Sequence, residues 1–437
     1  MLDFPSCIKL TEALVRYWLA IVVPGLFIGC ARFEPRPLSP DQTAARLEAR
    51  SLASAELKTI LETNLHRTWT DWPATNWDFE MLTLAAFCYH PSLQVARAEW
   101  HVAAGGIQTA AARLNPNVTI SAIHEPVPTA PSPWIPAILL DLPIETAGKR
   151  RFRTEQAQHV AESARLNLAT TAWQVRSQVR AGLLDFVTAR QRVALLQNQA
   201  ALRQDLVDRL QAQLAAGAIS AVELNAARIA LVRARADLAD AQRLLAEARP
   251  RLAGAVGVSA AALDGLEFQH SLKAPADAEG LTTSQVRRVA LLGRADILGA
   301  LADYAASQSA LQLEVAKQYP DLHIAPGYSW NAGGSGENDW QLGATIEVPL
   351  LNRHQGPIAE ATARREASAA RFLALQAKVI GEIDSAVASF HASLTNVTTL
   401  EALVAAQAAQ QEALAAQLKA GAVDRLEVVA EDELVLG

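Results

Sequence analysis

The sequence has few cysteines, few aromatic residues and no excess of positive charge. Three cysteines are present among 437 residues, and Phe, Trp and Tyr together make up 5% of the chain. Three cysteines cannot form the dense disulfide framework of a small secreted domain. The formal net charge of −6 gives no basic footprint of the kind that binds a nucleic-acid backbone, so we expect no nucleic-acid partner. Few aromatic residues together with frequent alanine indicate closely packed helices.

Motifs for catalysis and for cofactor or metal binding are also missing from the sequence. The nine histidines are dispersed, and His323 and His354 flank a predicted strand pair, where we interpret them as lumenal or loop residues rather than ligands. The glycine-rich stretch 333–336 has no nucleotide-domain pattern around it and is better explained as a hairpin tip. We therefore expect no enzyme activity, no cofactor and no metal site.

One proline-free stretch organises the chain. From Gly148 to Leu214 the apolar and alanine positions recur about every 3.6 residues, which is the period of a single helical stripe. At about 1.5 Å per residue this helix would be on the order of 100 Å long. A second stretch of the same kind runs from 356 to 420. Because an isolated apolar stripe has nothing to bury itself in, we expect both to lie against other long helices.

The N-terminal segment from Met1 to Cys30 has the pattern of a secretory leader. Lys9 and Arg16 precede an apolar run that is short for a membrane span and ends in Gly29-Cys30. The ending Leu-Phe-Ile-Gly-Cys resembles a bacterial lipoprotein cleavage box, in which Cys30 would be lipidated and become the first mature residue. Ala31 is not the aspartate that retains such proteins at the inner membrane, so the outer membrane is the expected destination. The alternative is a plain leader cleaved nearby.

Two pairs of predicted strands alternate between apolar and polar residues. They cover 117–124 and 134–144 in the first half of the chain, and 321–330 and 339–349 in the second. This alternation is typical of a half-buried soluble sheet and also of a tilted transmembrane barrel strand. We favour the barrel because of the leader. Since four strands cannot close a barrel, several copies must share one, and three copies would supply twelve strands.

The strand pairs belong to a larger internal duplication. One constant sequence offset relates Pro116 to Pro320, Gly217 to Gly421 and Glu223 to Glu427. The predicted organisation is a lipoprotein-type signal peptide at 1–30, an extended segment with a helix ending near Leu65 at 31–76, a first repeat at 77–257, a linker at 258–283 and a second repeat at 284–437. In the first repeat we expect the long helix to return from 222 to 249, before Pro250.

Several short motifs, taken together, resemble those of the TolC-like outer membrane efflux factors. They are His90-Pro-Ser-Leu93, Asn115-Pro-Asn117, Leu142-Pro-Ile-Glu-Thr-Ala-Gly-Lys-Arg150, Arg294-Ala-Asp-Ile297, Gln318-Tyr-Pro-Asp321 and Val348-Pro-Leu-Leu-Asn-Arg-His-Gln-Gly-Pro-Ile358. The resemblance implies a mainly α fold with a membrane β-barrel portion. In it, long antiparallel helices form a tunnel, and an internally duplicated chain with four strands assembles as an obligate trimer. The implied partners are outer membrane lipid, a periplasmic adaptor and an inner-membrane resistance-nodulation-division pump. The residues of the motifs are most similar to those of family members that serve heavy-metal exporters.

The resemblance also implies roles for the two helix turns. Gly217 and Ser220 in the first turn, and Gly421 and Asp424 in the second, correspond to adaptor-docking tips, and each pair also suits a simple helix end and helix cap. The second tip is acidic, and the resemblance makes Asp424, Glu427 and Glu431 candidates for a cation-favouring entrance gate. The alternative is an ordinary charged solvent face.

The function expected from these features is a passive outer membrane conduit that exports metal cations or small toxic compounds in a tripartite efflux system. A lipid-anchored periplasmic scaffold or adaptor is the alternative of a different class, and a type I secretion or drug-efflux conduit would share the fold. By the repeat offset, the counterpart of Arg249 would lie beyond Gly437, where the sequence stops. We therefore expect a second repeat that is truncated or incomplete in its last helix.

Overall fold

The computed structural model describes residues 32–124, 134–270, 282–330 and 338–419. The chain divides into two units, residues 1–49 and residues 50–437. The described part of the first unit holds an extended stretch followed by helix α1 (Pro40–Glu48). The other elements lie in the second unit.

The second unit contains the same order of elements twice: a short helix, a longer helix, two strands and a very long helix. The first set, with its flanking elements, is α2 (Ala55–Leu65), β1 (Asn76–Trp77), α3 (Phe79–Tyr89), α4 (Pro91–Ala111), β2 (Asn117–His124), β3 (Trp134–Ile144), α5 (Lys149–Ala215), α6 (Ala221–Val256) and β4 (Glu267–Phe268). The second set is α7 (Thr283–Gly293), α8 (Ala295–Ala316), β5 (Leu322–Ser329), β6 (Asp339–Ile346) and α9 (Gln355–Lys419).

The predicted long helices are confirmed as α5 and α9, and the predicted bounds of β2 and β3 match the structure. The predicted end of the returning helix at Arg249 is wrong, because α6 continues through Pro250 to Val256. Proline removes one backbone hydrogen bond, but Leu252, Ala253 and Val256 are buried in the core, and this packing holds the last turns in place. Tertiary burial therefore outweighs the helix-breaking tendency of one residue.

The predicted single helix ending near Leu65 is also wrong in one respect. Two helices, α1 and α2, occupy this region. Ser54 begins α2 by accepting a hydrogen bond from the Leu57 amide, so it acts as an N-cap where continuous helix was expected. In the second unit, Leu57 and Leu61 on α2 are buried.

The main hydrophobic core surrounds Trp77 and Phe268, which lie on the paired strands β1 and β4. Helices α2 and α3, the middle of α5 and the end of α6 pack around them. Gly182, the one glycine inside α5, faces α6 at this point. A Cβ atom there would lie 3.3 Å from the Leu252 Cα, so glycine permits the close approach of the two helices.

Cys88 lies at the edge of this core and is partly buried. Burial raises the pKa of its thiol, although the nearby Arg97 opposes the effect. A thiol that stays protonated is a poor nucleophile, so Cys88 acts as a small packing residue.

The four longer strands form one antiparallel sheet in the order β2-β3-β5-β6. The central pairing of β3 with β5 joins the two halves of the chain, with Leu142 opposite Ile324 and Ile144 opposite Leu322. The helices are arranged in a matching order, in which α5 packs against α4, α6 and α8, and α8 packs against α9. In the described segments, no helix combines the length and the apolar character needed to cross a membrane.

Candidate functional site

The four-stranded sheet has one apolar face that is exposed in the isolated chain. Residues directly opposite each other in the sheet lie on the same face, so the pairing identifies the members of this face. Its large exposed side chains are Val118, Ile120, Trp134, Ile138, Leu142, Ile144, Trp340, Leu342 and Ile346. A contiguous exposed apolar surface of this kind marks contact with a membrane or another protein.

Aromatic side chains gather at the end of this face farthest from the long helices. The Tyr328 ring lies 4.6 Å from Trp330 and 4.7 Å from Trp340, and Trp134 lies 4.7 Å from His124, measured between ring centroids. Tryptophan and tyrosine favour the boundary between hydrocarbon and water because each ring has an apolar body and a polar atom.

The opposite face of the sheet is more polar. It carries Asn117, Thr119, Ser121, Asp141, His323, Gln341 and Thr345, with Ile123, Ile135 and Leu139 towards the hairpin tips. His323 Nδ1 lies 3.0 Å from Asp141 Oδ1, so this pair links β3 to β5 on the polar face. The structure thus places His323 on this face, as its alternation in the sequence predicts, while His354 lies just before α9 with a left-handed backbone.

Where the strands meet the long helices, a buried lysine joins the two halves of the chain. Lys149 Nζ donates to Asp321 Oδ1 and to the Tyr319 carbonyl, both at 2.7 Å. Thr146 completes the contact by donating its amide to Asp321 Oδ1 and its hydroxyl to the Pro320 carbonyl. We call Thr146, Lys149, Tyr319, Pro320 and Asp321 the junction cluster. Its hydrogen bonds join the start of α5 to the start of β5.

The carboxyl group of the junction cluster is held in its charged form. Burial alone would raise the pKa of Asp321, but the hydrogen bonds from Lys149 and from the Thr146 amide outweigh burial. The pKa of Asp321 therefore lies below its ordinary value. Its stabilising contribution is present above the unfolded-state pKa, near ~3.9 for aspartate, and is lost as the pH falls through the lower folded-state value.

Replacement of Lys149 by methionine should destabilise the chain by about 2–3 kcal/mol, less than the ~3–5 kcal/mol for a wholly buried pair, because the Asp321 side chain is 29% exposed. The midpoint of guanidinium unfolding in detergent measures this change. Lys378→Met is the matched control, since its ion pair with Glu382 is exposed and contributes under ~0.5 kcal/mol. Asp321→Asn should also make the free energy of unfolding fall less as the pH is lowered. If the free energy of unfolding depended on pH as in the unmodified protein, the role of the cluster would be contradicted.

The junction cluster was missed by the sequence analysis, although its members lie in two of the motifs quoted above. Lys149 and Asp321 are 172 positions apart, so no local period connects them. The available signal was a lysine directly after a glycine at a helix start, together with an aspartate directly after a proline at a strand start.

The far end of α5 forms a tight turn into α6. Gly217 has a φ of 73°, the left-handed conformation that ends a helix, and Ser220 accepts from the Glu223 amide while the Glu223 side chain accepts from the Ser220 amide. The predicted cap geometry is therefore confirmed at this tip. Val207, Leu224 and Leu231 pack the two helices together behind it.

Other residues singled out from the sequence fall outside the described residues. These are Cys30 at the predicted lipid anchor, and Gly421, Asp424, Glu427 and Glu431 at the second tip. Within the described segments, no group of three or more His, Cys, Asp and Glu side chains is placed to hold a metal ion.

The chain joins an antiparallel sheet with an exposed apolar face to helices of 67 and 65 residues, and it shares this fold with solved structures of outer membrane proteins. The chain is similar to CusC, with a TM-score of 0.63 and 18% identity over 82% of this chain and 87% of that chain. For VceC from Vibrio cholerae the TM-score is 0.64 and the identity 20%, over 82% of this chain and 90% of that chain. For the outer-membrane channel OprN the TM-score is 0.66 and the identity 16%, over 94% of this chain and 93% of that chain.

The chain belongs to the outer membrane efflux protein family, whose sequence profile matches residues 85–258 and 286–435. The predicted family is thereby confirmed. The cobalt-zinc-cadmium resistance protein CzcC of Cupriavidus metallidurans is 27% identical over 287 residues. That alignment spans 65% of this chain and 65% of the length of that relative.

Proposed function

We propose that this protein is the outer membrane channel of a tripartite efflux system, a passive conduit that receives its cargo from an inner-membrane pump through a periplasmic adaptor. The observation that carries the proposal is the apolar face of the sheet, which is exposed in a chain whose long helices have their own core. The family supports an outer membrane location. An adaptor or scaffold confined to the periplasm would have no use for such a face with aromatic residues at one end.

The unpaired edges of the sheet support a ring of several copies. Among the described residues, β2 and β6 each have one strand neighbour, so the outer edges of both expose backbone donors and acceptors. Each such group left unsatisfied in hydrocarbon costs several kcal/mol, so β6 of one copy must pair with β2 of the next. We propose three copies, an internally duplicated chain and a twelve-stranded barrel.

The helices support the same arrangement. In α8, which packs against both α5 and α9, Ala306 is 7% exposed. Val102, which occupies the equivalent position in α4 by the repeat offset, is 77% exposed. An apolar valine at that place is stabilised by burial. The helix α9 of the next copy would bury it by packing against α4, as α5 packs against α8. The helices of successive copies would then pack side by side and form one continuous wall.

Metal cations are the proposed cargo, and the name of the relative CzcC supports this choice. Disruption of the coding sequence is expected to lower tolerance to cobalt, zinc and cadmium, measured as growth inhibition, while tolerance to dyes and detergents is unchanged. The protein should sediment with outer membranes and migrate differently before and after heating in detergent. Sensitivity to drugs alone would favour a drug conduit, and release of the protein by a salt wash would favour the scaffold.

The remaining assignments follow from the proposed conduit. Cys30 is proposed to carry lipid that anchors the mature chain in the outer membrane. The turns at Gly217 and Ser220, and at Gly421 and Asp424, are proposed to dock the adaptor, because a tip where two helices reverse is what a partner approaching along the tunnel meets first. Partner identities and domain boundaries stay predictions.

The acidic second tip is proposed to form the entrance gate. Replacing Asp424 and Glu431 by alanine removes six carboxylates from a trimer and should lower the cation-to-anion permeability ratio roughly twofold or more, because rings of charge concentrate counter-ions. Single-channel reversal potentials in a salt gradient measure the ratio. Glu360→Ala with Glu366→Ala, near the start of α9, removes equal charge far from the tip and serves as the control. An unchanged ratio in the tip variant would remove the gate assignment.

A further inference from the structure

A cleft of about 870 Å³ lies between the end of α4 and the start of α5. It is lined by three arginines, Arg113, Arg150 and Arg151, and by the apolar residues Leu114 and Ile144, of which Ile144 is the last residue of the apolar sheet face. Its volume falls within the ~300–1,000 Å³ range of small-molecule sites. We call this space the junction cleft.

The junction cleft carries unbalanced positive charge. Both carboxylates in its lining already form ion pairs: Glu145 with Arg153 at 2.7 Å and Glu155 with Arg151 at 3.6 Å. Lys149 is likewise matched by Asp321. The exposed guanidinium groups of Arg113 and Arg150 have no carboxylate partner among the described residues, which leaves two positive charges for a ligand.

The position of the cleft relative to the apolar face indicates which anion it receives. From Trp134 to Ile144, β3 runs for 11 residues, about 36 Å at ~3.3 Å per residue. With the ~35–45° tilt of barrel strands, this length spans the ~25 Å apolar band of such proteins. Ile144 therefore lies at the edge of the band, on the side of the long helices, where lipid headgroups replace hydrocarbon.

We propose that the junction cleft binds the headgroup of an anionic phospholipid, with the phosphate held by Arg113 and Arg150 and the first acyl carbons against Leu114 and Ile144. This inference rests on the proposed membrane position of the sheet. Guanidinium groups bind phosphate through paired N–H donors, and basic pockets beside membrane segments recognise such headgroups.

The second half of the chain supplies an internal comparison. The positions equivalent to Arg113 and Arg150 are Lys317, which is paired with Glu314 at 2.7 Å, and His354. At these two positions the second half therefore has no counterpart of the unpaired guanidinium groups.

The experiment uses the full chain purified in neutral detergent and a fluorescent phosphatidylglycerol as the probe, with binding followed by fluorescence anisotropy. Arg113→Gln combined with Arg150→Gln should weaken binding by roughly 25-fold, because each basic residue near an anionic surface contributes about 1 kcal/mol, or about fivefold. Arg190→Gln combined with Arg192→Gln, on exposed positions of α5 far from the sheet, is the matched control and should leave the affinity within twofold.

Each remaining outcome decides against the inference. Equal affinity for phosphatidylglycerol and phosphatidylcholine, or equal weakening in both double variants, would show that the cleft does not select the lipid. Displacement of the probe by millimolar inorganic phosphate would identify a site for free anions instead. Insertion into phosphatidylcholine vesicles is measured in parallel, because a protein that inserts but shows no lipid preference contradicts the cleft alone, while one that fails to insert contradicts the proposed conduit.

Discussion

Replacement of Leu342 by arginine is expected to remove the protein from the outer membrane. Leu342 lies in the middle of β6 opposite Pro326, on the apolar face, and is 78% exposed in the chain. An arginine facing lipid near the bilayer midplane costs about 2–4 kcal/mol per copy, or roughly 6–12 kcal/mol for three copies. The amount of heat-modifiable protein in the outer membrane fraction, measured by immunoblot, should fall at least tenfold.

The neighbouring residue provides the control for this prediction. Gln341→Arg introduces the same charge one position away, on the polar face, where the side chain would meet water in the lumen of a barrel. We expect this variant to assemble at the level of the unmodified protein. If both faces of the sheet met water in a periplasmic scaffold, the two exposed positions would respond alike, so equal behaviour of the two variants would refute the membrane position of the sheet.

The sequence predicted the elements whose own residues determine them. The bounds of α5, β2 and β3 follow from helical periods, alternation and prolines that no distant contact overrides. The cap at Gly217 and Ser220 is equally local. The error at Pro250 has the opposite cause, because the end of α6 is held by packing against Trp77 and its neighbours, whose positions depend on the whole fold.

The junction cluster was missed for the same reason. Its hydrogen bonds form because β3 pairs with β5, which brings the starts of α5 and β5 to one place. The sequence indicates that each half contains a hairpin, but the register between hairpins depends on contacts across the sheet. The apolar face was predicted from alternation alone, since a period of two fixes the side on which each residue lies.

The register between neighbouring copies can be predicted from the pairing inside the chain. If the subunits repeat the contact between β3 and β5, then β6 should meet β2 of the next copy in the same register. In the repeat, β3 corresponds to β6 and β5 corresponds to β2. The offset is added to the residue numbers of one strand and subtracted from those of the other. The sum of two paired residue numbers, which defines an antiparallel register, is therefore the same whatever the value of the offset. Ile346 of one copy is then opposite Ile120 of the next, and Leu342 is opposite His124.

A chain carrying both Ile346→Cys and Ile120→Cys should therefore form covalent trimers under mild oxidation. Directly opposite residues have Cβ atoms about 4.5–5.5 Å apart, near the ~3.5–4.5 Å of a disulfide, whereas residues two positions out of register are about 7–8 Å apart. Ile346→Cys with Val118→Cys is the out-of-register control, and the single variants report any contribution from Cys88. Non-reducing electrophoresis should show dimers and trimers for the first pair and mainly monomers for the control.

The size of the largest product distinguishes the possible assemblies. Each copy carries one cysteine at each edge of its sheet, so a closed ring of three copies yields linked trimers, while an isolated pair yields dimers only. A product pattern in which the control pair forms links and the first pair does not would show that the subunits meet in another register. Monomers in both samples would show that β6 and β2 do not meet at all, and the exposed backbone groups of both edges would then need a different partner within the membrane.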